Sequence, residues 1–248
     1  MSWLPRQAFA LAVLALLLTS CASPFGRQYE YEEELYVGVD GSATLIVNAS
    51  MAALAALHGL DVPLDPGAAV DRDRIRALYS SPVTTVSRVS RPWRRDGRRF
   101  VQIRLEVADL RRLSQASPFA WSRYTFTQQG DVLEFVQELG PSAGKNVGDV
   151  GWDGGELMAV RLHIPSRVTY HNAPSHSIAR GNILSWEQPL KARLAGEPLR
   201  VEVRFGHQRI LVLTVALFLA AMAAAAATVG GLIWWVVRKG RQRAARQA

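Results

Sequence analysis

Three histidines, His163, His171 and His176, first raise the question of a metal ion. As a set, their spacings of eight and five residues match no standard zinc pattern. On a strand His163 would alternate with Leu162 and Ile164 and turn toward solvent, while the other two fall in a loop. The alternative to a ligand set is therefore a group of surface histidines. Asp149, Asp153 and Glu156 stand among Gly148, Gly151, Gly154 and Gly155. Such oxygen ligands on a flexible loop could hold calcium, but their order is not that of an EF-hand. A solvated turn with Trp152 folded back onto the domain accounts for the same residues. No serine is read as held in a nucleophile elbow, and no phosphate-binding or dinucleotide fingerprint is read. The chain is expected to be non-enzymatic, with no cofactor and no metal.

The densest chemistry is cationic. Arg88, Arg91, Arg94, Arg95, Arg98 and Arg99 fall within 12 residues, with Trp93 among them. Guanidinium groups fork onto phosphates, and tryptophan settles at headgroup level. Arg91, Trp93, Arg94, Arg95, Arg98 and Arg99 are therefore candidates for contact with anionic lipid headgroups. The competing account is a charged, solubilising turn, partly neutralised by Asp96 or by the acidic run Glu30, Glu32, Glu33 and Glu34. Cys21 is the single cysteine, so no internal disulfide can form.

Cys21 closes an apolar run, Ala8 to Leu18, followed by Thr19 and Ser20. With Arg6 before it, this run has the proportions of an export signal. Leu18-Thr19-Ser20-Cys21 resembles the lipobox of bacterial lipoproteins, which implies lipidation of Cys21. At the other end, Ile210 to Val237 is 28 residues without a formal charge. That length crosses roughly 30 Å of hydrocarbon. Trp234 and Trp235 mark one edge, and Arg238, Lys239, Arg241, Arg243 and Arg246 follow, as the positive-inside bias requires of a cytoplasmic tail. The expected layout is a signal peptide over 1–20, a lipidated tether over 21–28, an extracytoplasmic domain over 29–208, a transmembrane helix over 210–237 and a basic tail over 238–248. The protein is thus expected at the bacterial cytoplasmic membrane, with its main domain outside. The net charge of +8 then loses its usual meaning. Without Arg6 and the five tail residues, 23 basic residues face 21 acidic ones. A nucleic-acid partner is not expected.

Between the two ends the patterns change repeatedly from period two to helical. Tyr31–Val37 and Ala43–Ala49 flank an Asp40-Gly41 turn and read as a hairpin. Ser50 reads as the N-cap of a helix over Met51–His58, with Gly59 ending it. Asp71–Tyr79 reads as a short helix. Val83–Val89 and Phe100–Val107 read as strands joined through Arg94-Arg95-Asp96-Gly97. Val101, Ile103, Leu105 and Val107 alternate with Gln102, Arg104 and Glu106, which predicts a sheet with one covered face. Asp109 is read as a cap. Ala120–Thr127 and Val132–Leu139 form a second hairpin pattern, and Leu157–Ile164, Ile183–Trp186 and Leu199–Phe205 complete the strands. The fold class is α+β: a largely antiparallel sheet with a few short helices on one face, followed by one C-terminal transmembrane helix.

Ile164-Pro165 through Val168, Asn172, and Gly181-Asn182-Ile183-Leu184-Ser185-Trp186 with Pro189-Leu190 carry a family resemblance. The segment 164–196, the opening hairpin and the layout as a whole are similar to bacterial lipoproteins of the mycobacterial LppM type. That resemblance implies a compact α+β domain associated with binding amphiphilic lipids, and it carries over no catalytic residue. The residues themselves allow a groove between helix and sheet, lined by Leu54, Leu57, Tyr79, Val101, Ile103 and Leu105. The expected function is that of a membrane-anchored envelope lipoprotein that binds an amphiphile such as lipid. The alternative is a structural or regulatory subunit of another envelope membrane protein, for which the small residues Ala220–Ala227 and Gly230-Gly231 would permit close helix contact. An envelope hydrolase is the third and least favoured class.

Overall fold

The computed structural model describes residues 27–65, 67–207 and 210–244. The signal segment and Cys21 lie outside the described residues. Among the described residues eleven strands form two sheets. The larger has the order β10-β8-β1-β2-β5-β3, with β4 pairing β5; the smaller has the order β6-β7-β11-β9. The strands are β1 (Tyr29–Val37), β2 (Ala43–Ser50), β3 (Thr84–Val89), β4 (Trp93–Arg95), β5 (Arg98–Val107), β6 (Ser122–Gln129), β7 (Val132–Leu139), β8 (Leu157–His163), β9 (Val168–His171), β10 (Ile183–Pro189) and β11 (Leu199–Gly206). Every strand pair in the two sheets is antiparallel except β1 with β8, which is parallel. The α+β class expected from the sequence is the class observed. The covered face differs in one respect: a second sheet, as well as helices, lies over it.

The opening hairpin sets the register. Gly38 accepts the turn because a side chain there would meet Asp40 Oδ1 at 2.4 Å, and Gly41 has φ +86°. Asp40 Oδ1 in turn accepts from the backbone and hydroxyl of Ser42, at 3.1 and 2.7 Å. Leu35 then pairs with Leu45, and Leu45 with Leu105. Tyr31, Leu35, Val37, Leu45, Val47, Val101, Ile103 and Leu105 all face inward and are buried. The alternation of β5 read from the sequence is therefore the observed division of faces.

Helix α1 (Met51–His58) leaves β2 directly. Ser50 caps it, its hydroxyl accepting from Ala53 N at 3.0 Å, and Gly59 ends it at φ +68°. Met51 through Leu57 of α1 are all buried. A helix enclosed on every side needs no polar face; here the positions between Met51, Leu54 and Leu57 are alanines. Part of the enclosure is the loop after β7, where Ala143 N donates to Leu57 O at 2.9 Å. Helix α2 (Arg72–Tyr79), capped by Asp71, buries Ile75 and Tyr79 and packs Tyr79 edge-on against Phe119. Asp109 caps a 3-10 turn over Leu110–Gln115. A short helix α3 (Leu190–Leu194) follows β10.

The two sheets run in step. Trp121 meets Tyr31 at 6.0 Å between ring centres, Gln137 donates to Glu33 at 2.9 Å, and Phe126 lies against Gly41. One end of the domain therefore holds the β1–β2 turn, the β6–β7 turn and the end of β11; the other holds Tyr29, the Arg-rich hairpin and α1. From the first end the chain continues into α4 (Ile210–Ala244). Within α4, Thr214–Lys239 contains an 18-residue window of mean hydropathy 2.1 that is unburied, and the segment is long and apolar enough to cross a membrane. Arg238 lies over Trp234 at 5.0 Å and Lys239 over Trp235 at 4.6 Å.

Candidate functional site

An open groove of about 770 Å³ lies across one end of the larger sheet. It is built where five strand ends converge. β1 contributes Tyr36 and Val37, β2 Ala43 and Thr44, the start of β3 Val83 and Thr85, the end of β5 Glu106 and Val107, and the end of β8 His163 with Ile164 and Pro165. Polar groups are few and placed: Thr44 Oγ1 donates to Glu106 Oε2 at 2.8 Å. His163 stacks on Tyr36 with ring centres 3.9 Å apart. Burial lowers the His163 pKa, while Glu34, 4.0 Å away, pulls it back up.

The groove is tied to the strand that leads into the apolar helix. The Ser166 hydroxyl donates to Gly206 O, Gly206 N donates to Arg167 O at 3.0 Å, and His207 N donates to Asp131 O at 2.9 Å. Asn182 Nδ2 donates to Ser166 O at 2.9 Å, holding the Ile164–Pro165 wall against the same strand end. Only residues 208 and 209 separate His207 from α4.

The residues expected to line a groove occupy a different place. Leu54, Leu57, Tyr79, Val101, Ile103 and Leu105 do converge, but each is fully buried in the core between the sheets. None of them lines the open groove. This corrects the expectation, and the reason is the second sheet, which fills the space that a helix alone would have left. Polar groups enter that core as well. Glu33 is buried, accepts from Tyr31 Oη at 2.6 Å and from Gln137 Nε2 at 2.9 Å, and has its pKa raised by burial.

The cationic cluster divides. Asp96 and Gly97, at φ 49° and 73°, make the two-residue turn between β4 and β5, so the turn is tighter than the four residues read from the sequence. Arg91, Trp93 and Arg94 are exposed. Arg98 is not available to a lipid: it is buried, its Nε donates to Glu30 Oε1 at 2.9 Å, and its Nη1 donates to Gly151 O at 2.6 Å. Arg95 lies 4.2 Å over the Phe100 ring and donates to Tyr29 O, and Arg99 donates to Ala68 O. Trp93 also stacks on Phe100. The hairpin is thus partly structural, and it sits at the end of the larger sheet away from α4.

The remaining candidates hold loops and strand ends together. Glu156 accepts from the backbone N–H groups of Asp153 and Gly154, Asp149 from Gly151 N, and Asp153 from Gly155 N. Trp152 folds back and donates to Glu30 Oε2 at 3.1 Å. Among the described residues no three His, Cys, Asp or Glu side chains are grouped to hold a metal ion. His171 ends β9 and its Nδ1 accepts from Ala173 N, so it is a strand residue and not the loop residue expected. One stretch does carry the spacing of a nucleophile elbow: Gly140-Pro141-Ser142-Ala143-Gly144 is a Gly-x-Ser-x-Gly sequence. An elbow needs that serine between a strand and a helix. Here the residues after β7 form an extended loop with no helix following. The loop contacts the Leu57 carbonyl, and the Nε2 of the adjacent His58 has no hydrogen-bond partner among the described residues.

No protein-family model matches the sequence, and no curated protein matches it. A solved structure does. The chain is similar to the folded domain of LppM. That NMR structure, of the Mycobacterium tuberculosis protein, aligns over 76% of this chain and 96% of its own, at 12% identity and a TM-score of 0.40. It is of the type that residues 164–196 resemble. The likeness concerns the arrangement of the chain and brings no ligand and no residue role with it.

Proposed function

We propose that this protein is a membrane-anchored, non-enzymatic envelope lipoprotein whose extracytoplasmic domain binds an amphiphile in the open groove at its membrane-proximal end. The observation that carries the reading is the position of the groove. It opens at the end of the domain from which an apolar, exposed helix departs, two residues beyond His207. Two residues span at most about 7 Å, so a ligand leaving a bilayer crossed by α4 would meet this end first. The lining suits one apolar chain and one polar head. Val37, Val83, Val107 and Ile164 offer hydrocarbon contact, while Glu106, Thr44 and His163 offer hydrogen bonds. Pockets for small ligands commonly combine those features in this volume range. Lipidation at Cys21 and an outside-facing domain complete the reading.

The test is a photoactivatable lipid in membranes containing the full chain. Crosslinks should map by mass spectrometry to the groove residues. Thr85 is exposed at the groove, so Thr85→Trp should change stability by no more than about 0.5 kcal/mol while lowering the crosslink yield severalfold. Crosslinks confined to α4, or a yield untouched by Thr85→Trp, would reject the groove. A second reading, a subunit that docks on another membrane protein, is favoured by the alanines and glycines at 220–231 on α4.

A further inference from the structure

Arg193 lies on α3 with its side chain fully buried. It makes one hydrogen bond, from Nη1 to Leu139 O at 3.3 Å. Its Nε and Nη2 have no partner among the described residues, and no carboxylate there lies within ion-pair distance. These two atoms form one edge of the guanidinium, the edge that grips two coplanar oxygens. The whole fork is therefore empty while the group is out of water. A buried, unpaired charge is strongly unfavourable, so the fold tolerates here something that a purely structural arginine would not need.

A second unmade bond lies beside it. The Arg193 guanidinium sits 5.8 Å from the Trp121 ring, and Trp121 Nε1, also buried, has no partner among the described residues. Trp121 and Leu139, whose carbonyl holds Arg193, both line a shallow concavity of about 460 Å³. That concavity lies at the end of the domain opposite the groove of the proposed function. Glu197 acts on Arg193 only through space.

We propose that Arg193 and Trp121 form a binding site for an oxyanion, a phosphate or phosphate monoester gripped by Nε and Nη2 of Arg193 and approached by Trp121 Nε1. The ligand enters from the concavity at Trp121, Leu139 and Gly140, displacing no existing hydrogen bond of the guanidinium edge. Phosphate is the better fit than carboxylate because it presents a third oxygen for the indole donor. The source is either free phosphate or the monoester headgroup of phosphatidic acid, and the site is independent of whether the groove binds an amphiphile.

The experiment uses the full chain in detergent micelles and in nanodiscs. Inorganic phosphate at about 10 mM, against chloride at equal ionic strength, should raise Tm by several degrees if the site is occupied. The same measurement in phosphatidic acid against phosphatidylcholine nanodiscs separates the sources. Protection by phosphate identifies a free anion, and protection by phosphatidic acid alone identifies a headgroup. Arg193→Lys, which keeps the charge and loses the fork, should weaken protection at least about tenfold. Should that variant fail to fold, the Nε–H resonance of Arg193 in the wild-type chain gives the same answer: it should shift saturably with the anion. No protection in either arm together with an unmoved Nε–H resonance would overturn the site, as would equal protection of Arg193→Lys.

Discussion

His58 shows how much one buried residue can decide. It lies between the Tyr31 and Trp121 rings, at 5.1 and 4.8 Å, and burial lowers its pKa from 6.5 to about 4, against a hydrogen bond to the Pro118 backbone that raises it. The folded state therefore binds this proton more weakly than the unfolded chain. The stability that neutral His58 contributes is present above pH 6.5 and is lost as pH falls toward 4. The full shift corresponds to at most about 3 kcal/mol, and roughly half of that is expected because part of the residue reaches the surface. Glu33 slopes the other way. Its pKa is raised, so its contribution is present at low pH and is lost as pH rises above its ordinary value of 4.5. The difference between wild type and His58→Phe isolates the histidine. Denaturant titrations from about pH 7.5 to about pH 4.5 should show wild type losing more stability than the variant, and parallel curves would reject the assignment.

At this scale the sequence was legible where a residue acts on its own neighbours. Ser50 and Asp109 cap a helix and a turn where their type and position predict it, whereas Asp71, read as the first residue of a helix, caps it instead. Arginines were not legible. Nothing local distinguishes Arg94, exposed at a turn, from Arg98, buried against Glu30, because Glu30 lies 68 residues away. Arg193 reads as an ordinary residue in a last helical turn until the second sheet closes over it.

Elements were legible in proportion to their length and alternation. β1, β2 and β5 bury alternate residues over seven positions each, 31–37, 43–49 and 101–107, and their patterns survive from sequence to sheet. β4, β9 and α3 have three, four and five residues, too few for a period to emerge, and each exists because neighbouring elements supply its partners. The parallel pairing of β1 with β8 was hidden for the same reason, being a contact between segments more than a hundred residues apart. Helix α1 tests the local part of this account. Ser50 is fully buried, so water cannot replace its hydroxyl at Ala53 N. Ser50→Ala should cost about 1 kcal/mol or somewhat more, and Ser50→Thr much less. Equilibrium denaturation of the two variants checks the order; equal stabilities would mean that packing of α1, and not its cap, fixes the start of the helix.

The whole molecule raises a question of posture. α4 leaves from the end that holds the groove, while Tyr29 begins β1 at the opposite end, beside the Arg91 and Arg94 hairpin. β1 has nine residues, so the two ends stand about 27 Å apart at roughly 3.3 Å per residue. The eight steps from Cys21 to Tyr29 reach about 28 Å only when the tether is fully extended. If α4 crosses a bilayer and Cys21 is acylated and inserted in the same bilayer, a domain standing upright on its groove end would hold that tether at its limit. A relaxed tether draws the far end down and lays the strands along the surface, bringing Arg91, Trp93 and Arg94 toward the headgroups. Without the acyl chains no N-terminal anchor holds the far end down. A fluorophore attached near Arg94 should therefore be quenched by headgroup-labelled lipid in membranes of the acylated protein, and markedly less with Cys21→Ser. Anionic lipid should strengthen the quenching in the acylated protein, with a dependence on salt that reflects exposed cations. Equal quenching in both proteins would show that the posture does not depend on the N-terminal anchor, and the hairpin would then be a charged turn facing away from the bilayer or one drawn to it by its own cations alone, which the salt dependence separates.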